Sequence, residues 1–188
     1  MAKPALEQQD FEAAAEALKV PVSRVKAVCE VEAPRGGFDA EDRPRILFEA
    51  HHFSRLTNRI YDDLHPRISS KVWNKALYTS SNGGEHARLA EAALLNREAA
   101  LQSASWGRFQ IMGFNYGACG FGDIQSFINA MYAGEPEHLQ AFVRFLSPAM
   151  KTALRNGDWA RFAAMYNGPG YKANRYDEKL ASADKKYS

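Results

Sequence analysis

Apolar and polar residues follow one another along this 188-residue chain with a mostly helical period. Apolar residues recur at three- and four-residue spacing, which is the pattern of helices that bury one face. Two short helices are predicted first, joined near residue 20, with Asp10 as the N-cap of the first and Pro21 at the start of the second. Further helices are predicted in the segments GEHARLAEAALLN, GDIQSFINAMYA, PEHLQAFVRFLS, DWARFAAMYN and YDEKLASADKKY.

One segment departs from this helical period. Residues 34–53 begin with Gly, Pro and Asp and continue with an Ile-Leu-Phe run, which predicts a small β-hairpin with strands at about 37–39 and 45–49. Residues 60–82 fit neither pattern clearly. No repeat and no linker divides the sequence, so we expect a single domain over residues 1–188. The expected fold class is mostly α, that is α+β with one small β-hairpin.

Composition and charge argue against several classes of function. The chain is 46% hydrophobic and 24% charged with a net charge of +2, and it lacks the Lys/Arg stripes of a nucleic-acid groove. Charges interrupt every apolar run before the roughly 20 residues of a membrane span, and the first residues contain no apolar secretion signal. Cys29 and Cys119 lie among apolar neighbours and are predicted to be reduced packing residues.

The second predicted helix places one glutamate among apolar side chains. At about 100° per residue from Val25, Cys29 falls near 40° and Glu32 near 340°, whereas Glu30 falls near 140° and faces away. Burial raises the pKa of a carboxyl group toward the value that a general acid needs at neutral pH. Alternatively, Glu32 caps the helix end or pairs with an arginine such as Arg35 or Arg43.

The predicted strand ending in RILFEA carries a second carboxylate, Glu49, directly after an apolar run. Two acids on separate rigid elements, one in an apolar setting and one near solvent, suit glycoside hydrolysis. A structural pairing of Glu49 with Arg45 or Arg55 is the alternative. His51 and His52 suggest a metal site, but adjacent histidines on a helix diverge, and ordinary polar residues at a helix start explain them better.

Four ordered motifs resemble the N-acetylmuramidase domain of bacteriophage endolysins, a peptidoglycan hydrolase family with a lysozyme-like fold. The motifs run from about Phe11 to about Ser182 and are AVCEVEAPRGGF, RPRILFEAHHFSRL, SASWGRFQIMGFNY and FAAMYNGPGYKANRYDEKLA. The catalytic acid of that family is the Glu of a Val-Glu-Ser triplet, which corresponds here to Val31-Glu32-Ala33. The resemblance therefore selects Glu32, and it also shows the loss of a hydroxyl group directly after the acid.

The resemblance extends to goose-type lysozymes and lytic transglycosylases, in which a Ser/Gly…Gln segment and a Tyr-Asn turn form a sugar-binding cleft with the acid. A saccharide cleft combines aromatic faces with a few fixed polar groups, and SASWGRFQIM offers both. For Trp106, packing in the core is an equally good interpretation. The substrate-binding residues predicted in this way are Ser105, Trp106, Gly107, Gln110, Tyr166 and Asn167.

The resemblance implies an enzyme that cuts the β-1,4 bond between N-acetylmuramic acid and N-acetylglucosamine. Glu32 would be the general acid and Glu49 the second carboxylate, without a metal or cofactor. The expected partner is the peptidoglycan glycan strand, bound by a monomer without a separate wall-binding module, without nucleic acid and without stable membrane insertion. The lack of a secretion signal fits an endolysin made in the host cytoplasm that reaches the wall in the periplasm after membrane permeabilisation.

Three alternatives remain open from the sequence. A lytic transglycosylase would use a single acid and close the muramyl 6-hydroxyl onto the anomeric carbon in place of water. A non-catalytic wall-binding module would make both glutamates incidental. A chitinase of related fold would act on a different polymer.

Overall fold

The computed structural model describes residues 2–188, which form ten α-helices and a small three-stranded antiparallel sheet. The mostly α fold class with a small sheet is confirmed. No helix within this range is both long and apolar enough to cross a bilayer. The helices are α1 Gln8–Leu18, α2 Val22–Glu32, α3 Ala50–Leu56, α4 Asn82–Leu95, α5 Arg97–Gln102, α6 Ile124–Ala133, α7 Glu135–Phe145, α8 Pro148–Asn156, α9 Trp159–Asn167 and α10 Tyr176–Tyr187; the strands are β1 Ile46–Phe48, β2 Ala104–Trp106 and β3 Ile111–Met112.

Helix α1 begins earlier than the sequence predicted. Its N-cap is Glu7, whose side chain accepts from the backbone N–H of Asp10, while the Asp10 carboxylate accepts from the Glu7 N–H at 2.8 Å. Asp10 is thus the third residue of a capping box. Both acids lie at the positive end of the helix dipole, which favours them there.

Helix α2 has the buried face that the angular analysis predicted. Val25, Val28 and Cys29 are buried, whereas Glu30 is exposed and pairs with Lys186 of α10 at 2.7 Å. Helix α10 packs along α2, and Ser23 donates to Asp184 at 2.6 Å across this contact. The packing holds the last residue of α2, Glu32, in a fixed place.

The pairing of the sheet corrects the predicted hairpin. Strand β1 lies within the predicted 45–49, but its partner is β2, with Ile46 opposite Trp106, and β2 pairs in turn with β3. Between the two predicted hairpin strands only a single bridge forms, from Phe38 to Pro44. The Gly- and Asp-rich connection supports that bridge but leaves no length for a ladder, so β1 bonds to a strand distant in sequence.

A buried ion pair fastens α4 to β1. The Glu85 and Arg88 side chains are 4% and 3% exposed and meet at 2.9 Å. Arg88 also donates to the Phe48 carbonyl at 3.1 Å and to the Arg67 carbonyl at 3.0 Å, while Glu85 accepts from the Phe48 N–H at 3.0 Å. The pair therefore ties together a strand, a helix and the irregular segment before α4.

The core is continuous from the helices into the sheet. Cys29 and Cys119 are both free and buried in it, which confirms their prediction as packing residues. Burial raises the pKa of each thiol to about 12, so neither is a reactive thiolate at neutral pH. The largest fully buried side chains are Trp106, Phe48, Phe53, Phe127, Phe142 and Phe162.

Candidate active site

A polar cavity of about 390 Å³ lies between the end of α2, the sheet and the start of α4. It contains three of the predicted site residues: Glu32 from the end of α2, and Gly107 and Gln110 from one turn much later in the sequence. The remaining lining residues are Ala33, Pro34, Arg35, Gly36, Arg45, Ile46, Leu47, Thr79, Ser80, Ser81, Asn82, Glu85 and Arg108.

Glu32 is the partly buried acid of this cavity. Burial raises the pKa of its carboxyl group, while a hydrogen bond from the Asn167 amide at 2.9 Å and the charge of Lys179 act in the opposite direction. Its position as the last residue of α2 also places it at the negative end of the helix dipole, which disfavours ionisation. Within residues 2–188 no salt bridge joins Glu32 to Arg35 or Arg43.

The turn between β2 and β3 forms one wall of the cavity. Its ends are Gly107, at φ +70°, and Gln110, at φ +50°, both in the left-handed region. The Gln110 amide accepts from the Ser105 hydroxyl at 2.9 Å and donates to the Gly107 carbonyl at 2.9 Å and the Arg45 carbonyl at 3.1 Å. These three bonds fix the turn to the residue before β1, so Ser105 and Gln110 shape the wall.

The buried His138 explains why residue 107 is glycine. A Cβ atom on Gly107 would lie 2.9 Å from this imidazole ring, and one on Gly37 would lie 2.5 Å away. The ring accepts from the Arg108 N–H at 3.0 Å, so its other nitrogen is the donor to the Met131 carbonyl. Nearby, Glu135 accepts from the Gly37 N–H and from Arg108, which joins α7 to both loops of the cavity.

Helix α9 delivers Tyr166 and Asn167 to this region. The Tyr166 hydroxyl donates to the Phe109 carbonyl at 3.2 Å, and its ring lies parallel to that of Phe162, with centroids 5.7 Å apart. Burial, with the Glu32 charge second, raises the pKa of the Tyr166 hydroxyl. Tyr166 thus supports the turn from behind, whereas Asn167 contacts the acid itself.

Trp106 is corrected from a substrate-binding residue to a core residue. Its side chain is 1% exposed, and its indole N–H donates to the Leu101 carbonyl at 3.0 Å. A ring enclosed in this way has no face to offer to a sugar. Of the two interpretations left open by the sequence, packing is the correct one.

Glu49 lies after β1 and does not line the cavity as described above. Its carboxylate accepts from the Tyr78 hydroxyl at 2.7 Å and lies 3.2 Å from the His51 ring. Arg55 contacts His52 instead, so neither predicted arginine pairing of Glu49 is found among the described residues. In residues 2–188 no group of three or more His, Cys, Asp or Glu residues could hold a metal ion.

Sequence reasoning missed the opposite wall of the cavity. Thr79, Ser80, Ser81 and Asn82 lie in the segment that fitted no pattern, and together with three arginines they give the cavity most of its polar groups. The run of consecutive hydroxyl and amide residues before the glycines of α4 was the available signal. Glu85 also lines the cavity, and the helical pattern did not predict it as a buried residue. Its burial depends on the ion pair with Arg88, which the sequence pattern does not show.

Comparison with known proteins places this site in a family. A family model described as N-acetylmuramidase matches residues 21–188. The chain belongs to the N-acetylmuramidase family. This confirms the resemblance seen in the sequence and makes the chain a peptidoglycan hydrolase.

One solved structure is similar over nearly the whole chain. It is the crystal structure of the endolysin of Burkholderia phage AP3, with a TM-score of 0.91 and 40% sequence identity. The alignment covers 97% of this chain and 70% of the phage endolysin chain. A comparison with curated proteins finds no match.

The bond between Asn167 and Glu32 predicts a shift in the pH profile of this N-acetylmuramidase. The bond stabilises the ionised carboxylate, so Asn167→Ala should raise the pKa of Glu32 further and keep the acid protonated to higher pH. If Glu32 is the general acid, the alkaline limb of the activity profile should therefore move to higher pH, measured as initial rates on solubilised peptidoglycan. Asn156→Ala, at the corresponding end of α8, is the matched control and should leave the limb in place. A limb that stays in place or moves to lower pH in the Asn167 variant contradicts this assignment.

Proposed function

We propose that this chain cleaves the β-1,4 bond between N-acetylmuramic acid and N-acetylglucosamine with Glu32 as the general acid. The observation that carries the proposal is the raised pKa of Glu32 in a polar cavity, where one neutral amide is its hydrogen-bond donor. A carboxyl group with a raised pKa holds its proton to higher pH and can transfer it to the glycosidic oxygen as the bond breaks.

The charge of the cavity wall suits peptidoglycan. Arg35, Arg45 and Arg108 line the cavity, although Arg108 is also paired with Glu135, and the peptide stem that is amide-linked to the muramyl lactyl group carries carboxylates. Guanidinium groups bind carboxylates with strong, directional hydrogen bonds. A chitin strand lacks these anions, so the arginines favour a muramidase over a chitinase. The raised pKa of Glu32 argues against a non-catalytic module, because binding alone does not need such a carboxyl group.

Glu49 is our candidate for the second carboxylate, positioning water or stabilising the oxocarbenium-like transition state. Its bonds with Tyr78 and proximity to His51 would hold it in a fixed orientation at the end of β1. Its position outside the cavity lining favours the second candidate function, a lytic transglycosylase that works with one acid. Mass spectrometry of digested peptidoglycan separates the two, because transglycosylation gives anhydromuramic ends that are lighter by one water.

In its biological setting we infer an endolysin that degrades the host wall during lysis. The support is the family and the 40% identity to a phage protein described as an endolysin. On this proposal the protein acts as a monomer on glycan strands, after a separate lesion in the membrane has given it access to the periplasm.

The variant Glu32→Gln should retain the fold and lose lysis. An amide preserves the shape of the side chain but cannot deliver a proton, and general acid catalysis contributes about 10²–10⁴-fold. Turbidity loss of purified peptidoglycan measures the effect. Glu30→Gln is the matched control on the exposed face of α2 and should remain active. Activity above about a tenth of the wild type in the Glu32 variant would remove this residue from the role of acid.

The variant Glu49→Gln tests the second carboxylate. Its amide oxygen can still accept from Tyr78, so the structure around β1 should persist. If the negative charge orients water or stabilises the transition state, hydrolysis should fall strongly, and azide or formate should partly restore it. Melting temperature and lysis rate are measured on the same sample. Full activity per folded molecule would exclude Glu49 from the mechanism and favour the single-acid transglycosylase.

A further inference from the structure

Trp73 stands out among the three tryptophans of the chain because it is exposed. Its exposed fraction is 58%, whereas Trp106 and Trp159 are 1% and 8% exposed. It lies in the irregular segment before the 3₁₀ turn Lys75–Leu77, next to Val72, which is 68% exposed. Trp is enriched at binding interfaces, because it combines a large apolar ring with a polar N–H group.

Hydrogen bonds fix the orientation of this exposed ring. The indole N–H donates to the Tyr78 hydroxyl at 2.6 Å, and that hydroxyl donates to the Glu49 carboxylate at 2.7 Å. The two rings meet edge to face, with centroids 6.2 Å apart at 67°. Since Glu49 is the N-cap residue of α3 and 14% exposed, the chain of bonds ends on a rigid element. Trp73 is thus held in place even though most of its surface faces solvent.

The two residues that hold Trp73, Tyr78 and Glu49, lie close in the chain to residues that line the cavity of Glu32. Tyr78 directly precedes Thr79, the first residue of the polar wall, and Glu49 follows β1, whose Ile46 and Leu47 also line the cavity. A glycan strand is a linear polymer, so sugars on either side of the cleaved bond must leave the cavity along its edges. Trp73 is hydrogen-bonded to Tyr78, the residue directly before the 79–82 wall.

We propose that Trp73, held by Tyr78, is a stacking platform for a sugar ring of the glycan strand outside the cavity. The apolar C–H face of a pyranose packs against an aromatic ring, and a ring fixed beforehand loses little conformational freedom on binding. Stacking would align the strand with Glu32 and give this enzyme a preference for long strands. The inference rests on the proposed function, since it assumes that a glycan strand occupies the cavity.

Binding is measured in the inactive Glu32→Gln protein with a hexamer of N-acetylglucosamine as the probe. Because the other two tryptophans are buried, a change in emission reports mainly on Trp73. The hexamer should shift the emission to shorter wavelength and protect it from acrylamide. The same protein with Trp73→Phe should lose that signal but still bind, measured by calorimetry. Binding of the hexamer without any change in Trp73 emission would overturn the platform and leave the proposed function intact.

Kinetics on soluble glycan strands give the second measurement. Trp73→Ala should raise KM by about threefold to tenfold, the equivalent of one stacking contact, with little change in kcat or melting temperature. Trp73→Phe should recover part of the loss, because the aromatic face remains. Val72→Ala is the matched control, because Val72 is the neighbouring residue and is exposed to a similar degree, 68% against 58%, but has no ring. An unchanged KM in Trp73→Ala overturns the platform, whereas a wild-type protein that neither binds nor cuts the strands overturns the platform and the proposed function together.

Discussion

The buried pair of Glu85 and Arg88 is the interaction on which the geometry of the cleft depends. Glu85 accepts four hydrogen bonds, from the Phe48 and Thr79 backbones, the Thr79 hydroxyl and the Arg88 guanidinium. Arg88 in turn reaches the carbonyls of Phe48 and Arg67. The pair thus joins β1, α4 and the cavity wall that begins at Thr79. Breaking such a pair costs about 3–5 kcal/mol, because the remaining charge is left buried without a partner.

The same cavity contains a second glutamate with the opposite surroundings. Glu85 is surrounded by hydrogen-bond donors and a guanidinium group, which stabilise its negative charge. For Glu32, only the Asn167 amide and the charge of Lys179 counteract the effect of burial on the pKa. A negative charge is therefore compensated at the floor of the cavity and disfavoured at the end of α2. Carboxyl groups kept in such different environments take different roles in glycosidases. The fold thus uses Glu85 as a support and leaves Glu32 as the group able to carry a proton.

Local patterns predicted the parts of the fold that depend on local chain geometry. The angular position of Glu32 on α2 follows from the helical period alone, and the Ile-Leu-Phe run before Glu49 predicted strand β1. The partner of β1 was not predictable, because residues 104–106 follow it by more than fifty positions and contain no alternating pattern. The enclosure of Trp106 likewise depends on the packed core. The family motifs selected Glu32 as the acid, which stays a prediction, and only the packing showed that Gln110 and Tyr166 support the turn.

Burial at the end of α2 raises the pKa of the Glu32 carboxyl group above that of an exposed glutamate, and the proposed role of Glu32 as general acid depends on this shift. The direct measurement is an NMR titration of the carboxyl carbons in ¹³C-labelled protein, with the Glu32 signal assigned by its absence in Glu32→Gln. The account predicts a pKa clearly above about 4.3, the value of an unperturbed glutamate. A pKa at or below that value would contradict the account, because burial would then give Glu32 no firmer hold on its proton than an exposed glutamate has.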